Sequence, residues 1–189
     1  KWYRGILRIQ NKDNTITVIN DICMENYIQG VLPAEMPSSW NLEALKAQAI
    51  AARTYAVANY GKHGSQGFDL VDTQMDQVYN GISAETESSN KAVIETEGNI
   101  MTYNNKPITA MYSSSAGGQT HSALESWGND IPYLQSVQSY DDDVKSFGHG
   151  VGMTQHCAKN LANMGNNAYQ ILSHFYNNIQ FARINPIYY

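Results

Sequence analysis

The chain has 189 residues, enough to bury a core, and a formal net charge of −5 from 12 basic and 17 acidic residues. It has no Lys/Arg cluster, which excludes the basic footprint of a nucleic-acid binder, and no apolar run approaches the length of a membrane span. Thirteen tyrosines and three tryptophans in a chain rich in small polar residues suit stacking on sugars or packing at interfaces, or else fill the core.

The chain opens at Lys1 rather than Met, and is read as a processed or truncated fragment whose export signal or anchor lies upstream. GILRIQ and TITVIN alternate apolar and polar residues around the turn chemistry of NKDN, which predicts a β-hairpin over residues 3–20. A short helical piece, MENYIQGVL, comes next. In VLPAEMPSSW, Pro33 and Pro37 flank Glu35; each fixes φ and pushes its predecessor towards extended backbone, so Glu35 is expected in a stiff loop. NLEALKAQAIAARTYAVANYG then predicts a long helix, with Leu45, Ala49, Ala52 and Ala56 on one face. Asn41 or Ser39 caps its start, Gly61 ends it, and Glu43 suits its dipole.

Residues 64–81 read as a polar loop, 84–96 as a helix stopped by Gly98, and NIMTYNNKPITAMYSS as a second hairpin turning at Asn104 and Asn105. SSSAGGQTHSA is a small-residue loop, residues 153–163 are helical, NNAYQILSHFYNN forms a last helix capped by Asn166 or Asn167, and IQFARI a terminal strand. Hairpins and helices come in blocks, so the fold class is α+β, in one domain over 1–189 with room for a small lobe.

Several residues carry candidate chemistry. Leu32, Met36 and Trp40 give Glu35 an apolar shell, which raises a carboxyl pKa towards that of a general acid; the alternative is a helix-capping carboxylate. Asp69, Asp72 and Asp76 are candidates for a second carboxylate opposite it, or simply solvated loop acids. Ser and His occur together in YSSSAGGQTHSALESWG, yet there is no GxSxG, so a substrate-contacting loop fits better than a serine nucleophile. In FGHGVGMTQHC three glycines leave His149 in open backbone, suited to hydrogen bonding near a polar ligand. His149, His156 and Cys157 are zinc-capable ligand types at a spacing that matches no established zinc motif. Cys23 and Cys157 are read as two unpaired thiols rather than a disulfide.

YIQGVLPAEMPSSWNLEALKAQAIAARTYA resembles the signature of the stage II sporulation protein D family. DTQMDQVYNG, YSSSAGGQT with ESWG and IPYLQSV, and FGHGVGMTQHCAKNLANMG match its later blocks in order, from Asn26 to about Tyr176. The resemblance implies a lytic transglycosylase that cleaves the bond between N-acetylmuramic acid and N-acetylglucosamine in peptide-free glycan strands. Glu35 would be its single catalytic acid, and no cofactor is required. The resemblance also suggests Gln77, Tyr79, Ser114, Gly118, His149 and Gln155 as substrate-binding residues. It implies an extracytoplasmic, membrane-anchored setting during forespore engulfment, with a companion cell-wall amidase and membrane engulfment proteins as partners. Related domains resemble non-catalytic, glycan-binding amidase enhancers, the competing function; a metal-dependent amidase is a third. Two departures stand out. Only Val144, Lys145 and Ser146 separate Asp143 from FGHG, where the family carries a longer segment, so either the segment is short or the numbering passes over a missing stretch. His156 and Cys157 replace the family's tryptophan and glycine, which is what brings zinc into consideration.

Overall fold

The computed structural model describes residues 2–12 and 14–185. The hairpin forms from β1 (Ile6–Lys12) and β2 (Thr15–Asp21), antiparallel with Ile9 opposite Val18. Its apolar residues do not turn inward: Leu7, Ile9, Ile16 and Val18 share one exposed face, and only Ile19 of the opposite face is buried.

Helix α1 (Met24–Glu35) and helix α2 (Leu42–Ala58) follow. The expectation of a loop around Glu35 is corrected here. Pro33 lies inside α1, and Glu35 is the helix's last residue. A proline in the final turn removes one helical hydrogen bond but keeps φ helical, whereas Pro37 forces Met36 into extended backbone (φ −135°, ψ 135°) and ends the helix. The Asn41 side chain caps α2 by accepting the Glu43 N–H at 3.0 Å.

α2 is not half-buried on one face as its periodicity suggests. From Ala44 to Val57 all but one residue, Lys46, is buried, because alanines all round let α1, α3 (Glu87–Glu95), α5 (Gln155–Asn163), α6 (Ala168–Phe175) and β3 (Asn99–Tyr103) approach closely. Its buried polar groups are matched. Arg53, fully buried, donates to both carboxylate oxygens of Glu25 at 2.8 and 2.7 Å, to the Asn99 carbonyl at 3.2 Å and to the Val93 carbonyl at 3.4 Å. One guanidinium thus ties α2 to α1, α3 and β3.

β3 pairs with the two-residue β4 (Lys106–Pro107) across a turn in which Asn104 and Asn105 have φ of 50° and 60°, and with β7 (Gln180–Arg183) on its other edge. A short parallel pair, β5 (Tyr112–Ser113) with β6 (Met153–Thr154), joins the serine loop to the start of α5. The loop after β5 contains a helix the sequence reading missed, α4 (Ala123–Trp127), opened by a capping box of Ser122 and Glu125. Glu43 does more than face a dipole: it pairs with Lys46 and accepts the Ala168 N–H at 2.8 Å, fastening α6 to α2. Both cysteines are free thiols, Cys23 exposed and Cys157 buried.

Replacing Glu25 with alanine strands a buried guanidinium. The expected loss is about 3–5 kcal/mol, read as a lower urea midpoint with an unchanged slope.

Candidate active site

Glu35 sits half-buried at the C-terminal end of α1, where the segment after Asp72 folds back over it. Its Oε1 accepts the Val78 N–H at 3.1 Å, and the side chains of Gln155 and Tyr112 also hydrogen-bond to it. Burial pushes the carboxyl above the ordinary carboxylate range; those three hydrogen bonds favour the ionised form and hold the rise in check.

The polarity of these bonds follows from one side chain, Gln77. It is fully buried, and its Nε2 donates to the Ala52 carbonyl at 3.1 Å, an atom that can only accept. Nε2 therefore donates its second hydrogen to the Tyr112 hydroxyl at 2.9 Å, and Oε1 receives the Tyr27 hydroxyl at 3.2 Å. With its oxygen occupied as an acceptor of Gln77, Tyr112 directs its own proton to Glu35. Burial, and then the Glu35 charge, raise the Tyr112 pKa and keep the phenol protonated.

Gln155, at the start of α5, reaches Glu35 and donates to Gln48 Oε1 at 3.5 Å; Gln48 Nε2 is buried with no partner among the described residues. His149 lies behind Tyr112, to whose backbone it hydrogen-bonds. Its Nδ1 accepts the Val151 N–H at 3.0 Å, and its ring packs 5.5 Å from that of Trp127. Burial lowers its pKa, so the ring is neutral near pH 7.

The sequence-derived site residues separate into groups. Glu35, Gln77, Gln155 and, through Tyr112, His149 are linked. Gln77 is enclosed, with its amide atoms engaged inside the protein, so it serves the network rather than an open groove. Tyr79 is buried, its ring stacked at 5.5 Å on Tyr27 and 6.1 Å on Tyr3, with its hydroxyl accepting from Asn20. Gly118 and Ser114 are held through their backbones. Gly118 N–H donates to Asp141 Oδ1 at 3.0 Å, and the Ser114 carbonyl accepts the His156 N–H at 3.0 Å. Asp141, absent from the sequence reading, is fully buried, organises the loop through Ala116 and Gly118, and is held below the usual carboxylate range by those N–H groups and nearby hydroxyls despite its burial. Tyr112 and Gln48 were also missed; only contact with Glu35 or its partners distinguishes them from ordinary core residues.

Two of the alternatives find no support in the geometry. Asp76 does not face Glu35 as a second carboxylate: its buried carboxyl is committed to Lys62, His63 and the Val71 N–H. Asp69 accepts the Gly61 N–H at 2.9 Å, and Asp72 is an exposed loop residue. Nor do the proposed zinc ligands converge. The His156 ring packs 5.0 Å from that of Trp40, Cys157 Sγ accepts the Tyr140 N–H at 3.1 Å, and His149 is engaged as above. Among the described residues no three His, Cys, Asp or Glu side chains are grouped to hold a metal ion.

Residues 12–103, the stretch carrying Glu35, Gln77 and Val78, match the family model for the stage II sporulation protein, SpoIID. Over that stretch the chain carries a SpoIID-family domain. It is 42% identical over 136 residues to stage II sporulation protein D of Bacillus subtilis (64% of this chain, 40% of that protein). It is 47% identical over 115 residues to the amidase enhancer of the same organism (61% of this chain, 15% of that protein), and 41% identical over 136 residues to an uncharacterised protein of Brachyspira hyodysenteriae (71% of this chain, 37% of that protein). The chain thus spans less than half the length of each of these relatives. No helix among its described residues is long and apolar enough to cross a membrane.

Two outcomes are expected. Tyr112→Phe removes a donor to the carboxylate, so the Glu35 pKa rises further, measured by pH titration of the carboxyl carbon resonance. Because the folded pKa of Glu35 is raised, its protonation supports the fold fully below the unfolded value of about 4.3, and that support is lost as pH rises through the folded value. Glu35→Gln is therefore expected to raise the melting temperature at pH 7 and to leave it nearly unchanged well below pH 4.

Proposed function

We propose that this protein is a peptidoglycan lytic transglycosylase with Glu35 as its one catalytic carboxyl group. The observation that carries this reading is a lone half-buried carboxyl whose pKa is raised by burial while three donors stand ready for its ionised form. One group is thereby suited to act first as acid and then as base.

Protonated Glu35 gives its proton to the glycosidic oxygen between N-acetylmuramic acid and N-acetylglucosamine. The bond from the anomeric carbon to that oxygen breaks, and the pair of electrons leaves with the oxygen. Val78 N–H, Gln155 and Tyr112 stabilise the carboxylate that results. Glu35 then takes the proton of the muramic acid C6 hydroxyl, whose oxygen closes on the anomeric carbon to form a 1,6-anhydro ring. No water attacks, so the step needs no second carboxylate, in contrast to two-carboxylate hydrolysis. The commitment of Asp76 to Lys62 and His63 supports this scheme.

The setting proposed with it is extracytoplasmic, at the forespore during engulfment. Peptide-free glycan strands are the substrate, with a companion amidase and membrane engulfment proteins as partners. A second reading, a non-catalytic glycan-binding amidase enhancer, is favoured by the 47% identity to the protein of that name.

Mass spectrometry of products from peptide-free strands separates the readings. Wild type is expected to yield anhydro-muramyl ends, and Glu35→Gln to lose at least about a thousandfold in rate while still binding. Reducing ends would mean hydrolysis. Binding without cleavage by either protein would favour the enhancer.

A further inference from the structure

The segment FGHGVGMT wraps the strand that carries Tyr112. On one edge of β5, Phe147 pairs with Ser115 through hydrogen bonds of 3.1 and 3.3 Å. On the other edge, Met153 and Thr154 form the parallel partner, and the Met153 N–H donates to the Met111 carbonyl at 3.1 Å. The residues between cross from one edge to the other, and two glycines let them lie against β5. A Cβ on Gly148 (φ 99°) would stand 2.9 Å from the Ser113 Cβ, and one on Gly152 (φ 73°) 2.1 Å from the Met111 carbonyl oxygen. These glycines serve close packing of the segment on the strand.

His149 stands in the middle of this wrap. Its Nδ1 accepts the Val151 N–H at 3.0 Å, so in the neutral ring the proton sits on Nε2. That N–H is the donor left for the Tyr112 main chain, where the carbonyl receives it. Consecutive carbonyls of a strand point to opposite edges; with the Met111 carbonyl turned to β6, that of Tyr112 needs a donor on the far side. His149 supplies it in place of a ladder bond. The Trp127 ring packs against the imidazole at 5.5 Å. Both ring nitrogens are therefore spent inside the protein. β5 is two residues long, so its ladder alone gives Tyr112 little hold. At the other end of the same residue, the phenol donates to Glu35.

We propose that His149 is a positioning residue: it struts the Tyr112 main chain and thereby aims the Tyr112 hydroxyl at Glu35. It acts through Tyr112 and makes no bond to the sugar. Hydrogen bonds weaken steeply once misaligned, so loss of the strut costs Glu35 the same donor that Tyr112→Phe deletes. The catalytic consequence rests on the glycan reading of the Glu35 site; the effect on the Glu35 carboxyl does not.

The test is a double-mutant cycle read on Glu35 by pH titration of its carboxyl carbon resonance. An asparagine amide reaches as far as Nδ1, so His149→Asn keeps the Val151 bond and drops the strut. A glutamine amide reaches as far as Nε2, so His149→Gln keeps a donor for Tyr112. His149→Asn is expected to raise the Glu35 pKa in the same direction as Tyr112→Phe, and to add nothing when the two are combined. His149→Gln is expected to return it towards the wild-type value. On peptide-free strands His149→Asn is expected to lose about tenfold in kcat with KM little changed. An unshifted Glu35 in folded His149→Asn, or full additivity with Tyr112→Phe, would overturn the strut. Should His149→Asn lose the amide signals of residues 147–154, His149→Gln decides: a Glu35 pKa near wild type supports the strut and a raised one overturns it. Coupling on Glu35 without cleavage by wild type would keep the strut and overturn the glycan reading.

Discussion

The Arg53–Glu25 pair is the contact on which the rest of this structure depends. A guanidinium with no exposed surface is tolerable only because two carboxylate oxygens and main-chain carbonyls share its charge. Those partners sit on α1, α3 and β3, so one side chain of α2 sets the relative positions of the elements around it. Glu25 also accepts the Gly98 N–H at 3.1 Å, which fixes the entry to β3. Once the first turn of α1 is pinned, ten residues of helix carry Glu35 to a defined place. The prolines finish the task. Pro33 keeps the last turn helical, and Pro37 stops the helix just past the carboxyl.

What surrounds Glu35 is a balance between burial and donation. Burial favours the protonated acid; donation favours the carboxylate. The structure combines half-burial with a main-chain donor and two side-chain donors. Gln77 gives that arrangement direction, because the Ala52 carbonyl fixes which end of its amide donates. The chain of hydroxyls and amides from Tyr27 through Gln77 to Tyr112 then has a single sense. Gln77 and Val78 are adjacent in sequence, so one short segment supplies both the organiser and the main-chain donor. On its other side the same segment turns Tyr79 towards the hairpin.

Much of the fold was legible because its signals are local. The Asn104–Asn105 turn, the Asn41 and Asn167 caps, the glycine stops and the period of α6 all arise within a few residues. The misreadings have equally definite causes. Proline was taken as a helix breaker at position 33, although its φ is helical and only one hydrogen bond is lost. The short helix α4 spans five residues, too few for periodicity to reveal. The alternation in the hairpin gave the strands but not their burial, since it shows only that one face differs from the other, and the apolar face is exposed.

By itself, the sequence determined the family resemblance, the α+β class and Glu35 as the candidate acid, since these reside in residue order and in motifs read along the chain. The environment of that acid was decided only by the tertiary structure. Tyr112, Gln155 and Gln48 come from β5, α5 and α2, and no spacing rule links them to residue 35. The same holds for what was removed. Asp76 is a loop carboxylate until Lys62 and His63 are seen closing on it, and His149, His156 and Cys157 are a ligand set until each is found facing a different partner. Sequence fixes which groups exist, but hydrogen bonding and burial act through space, and their partners are chosen by packing.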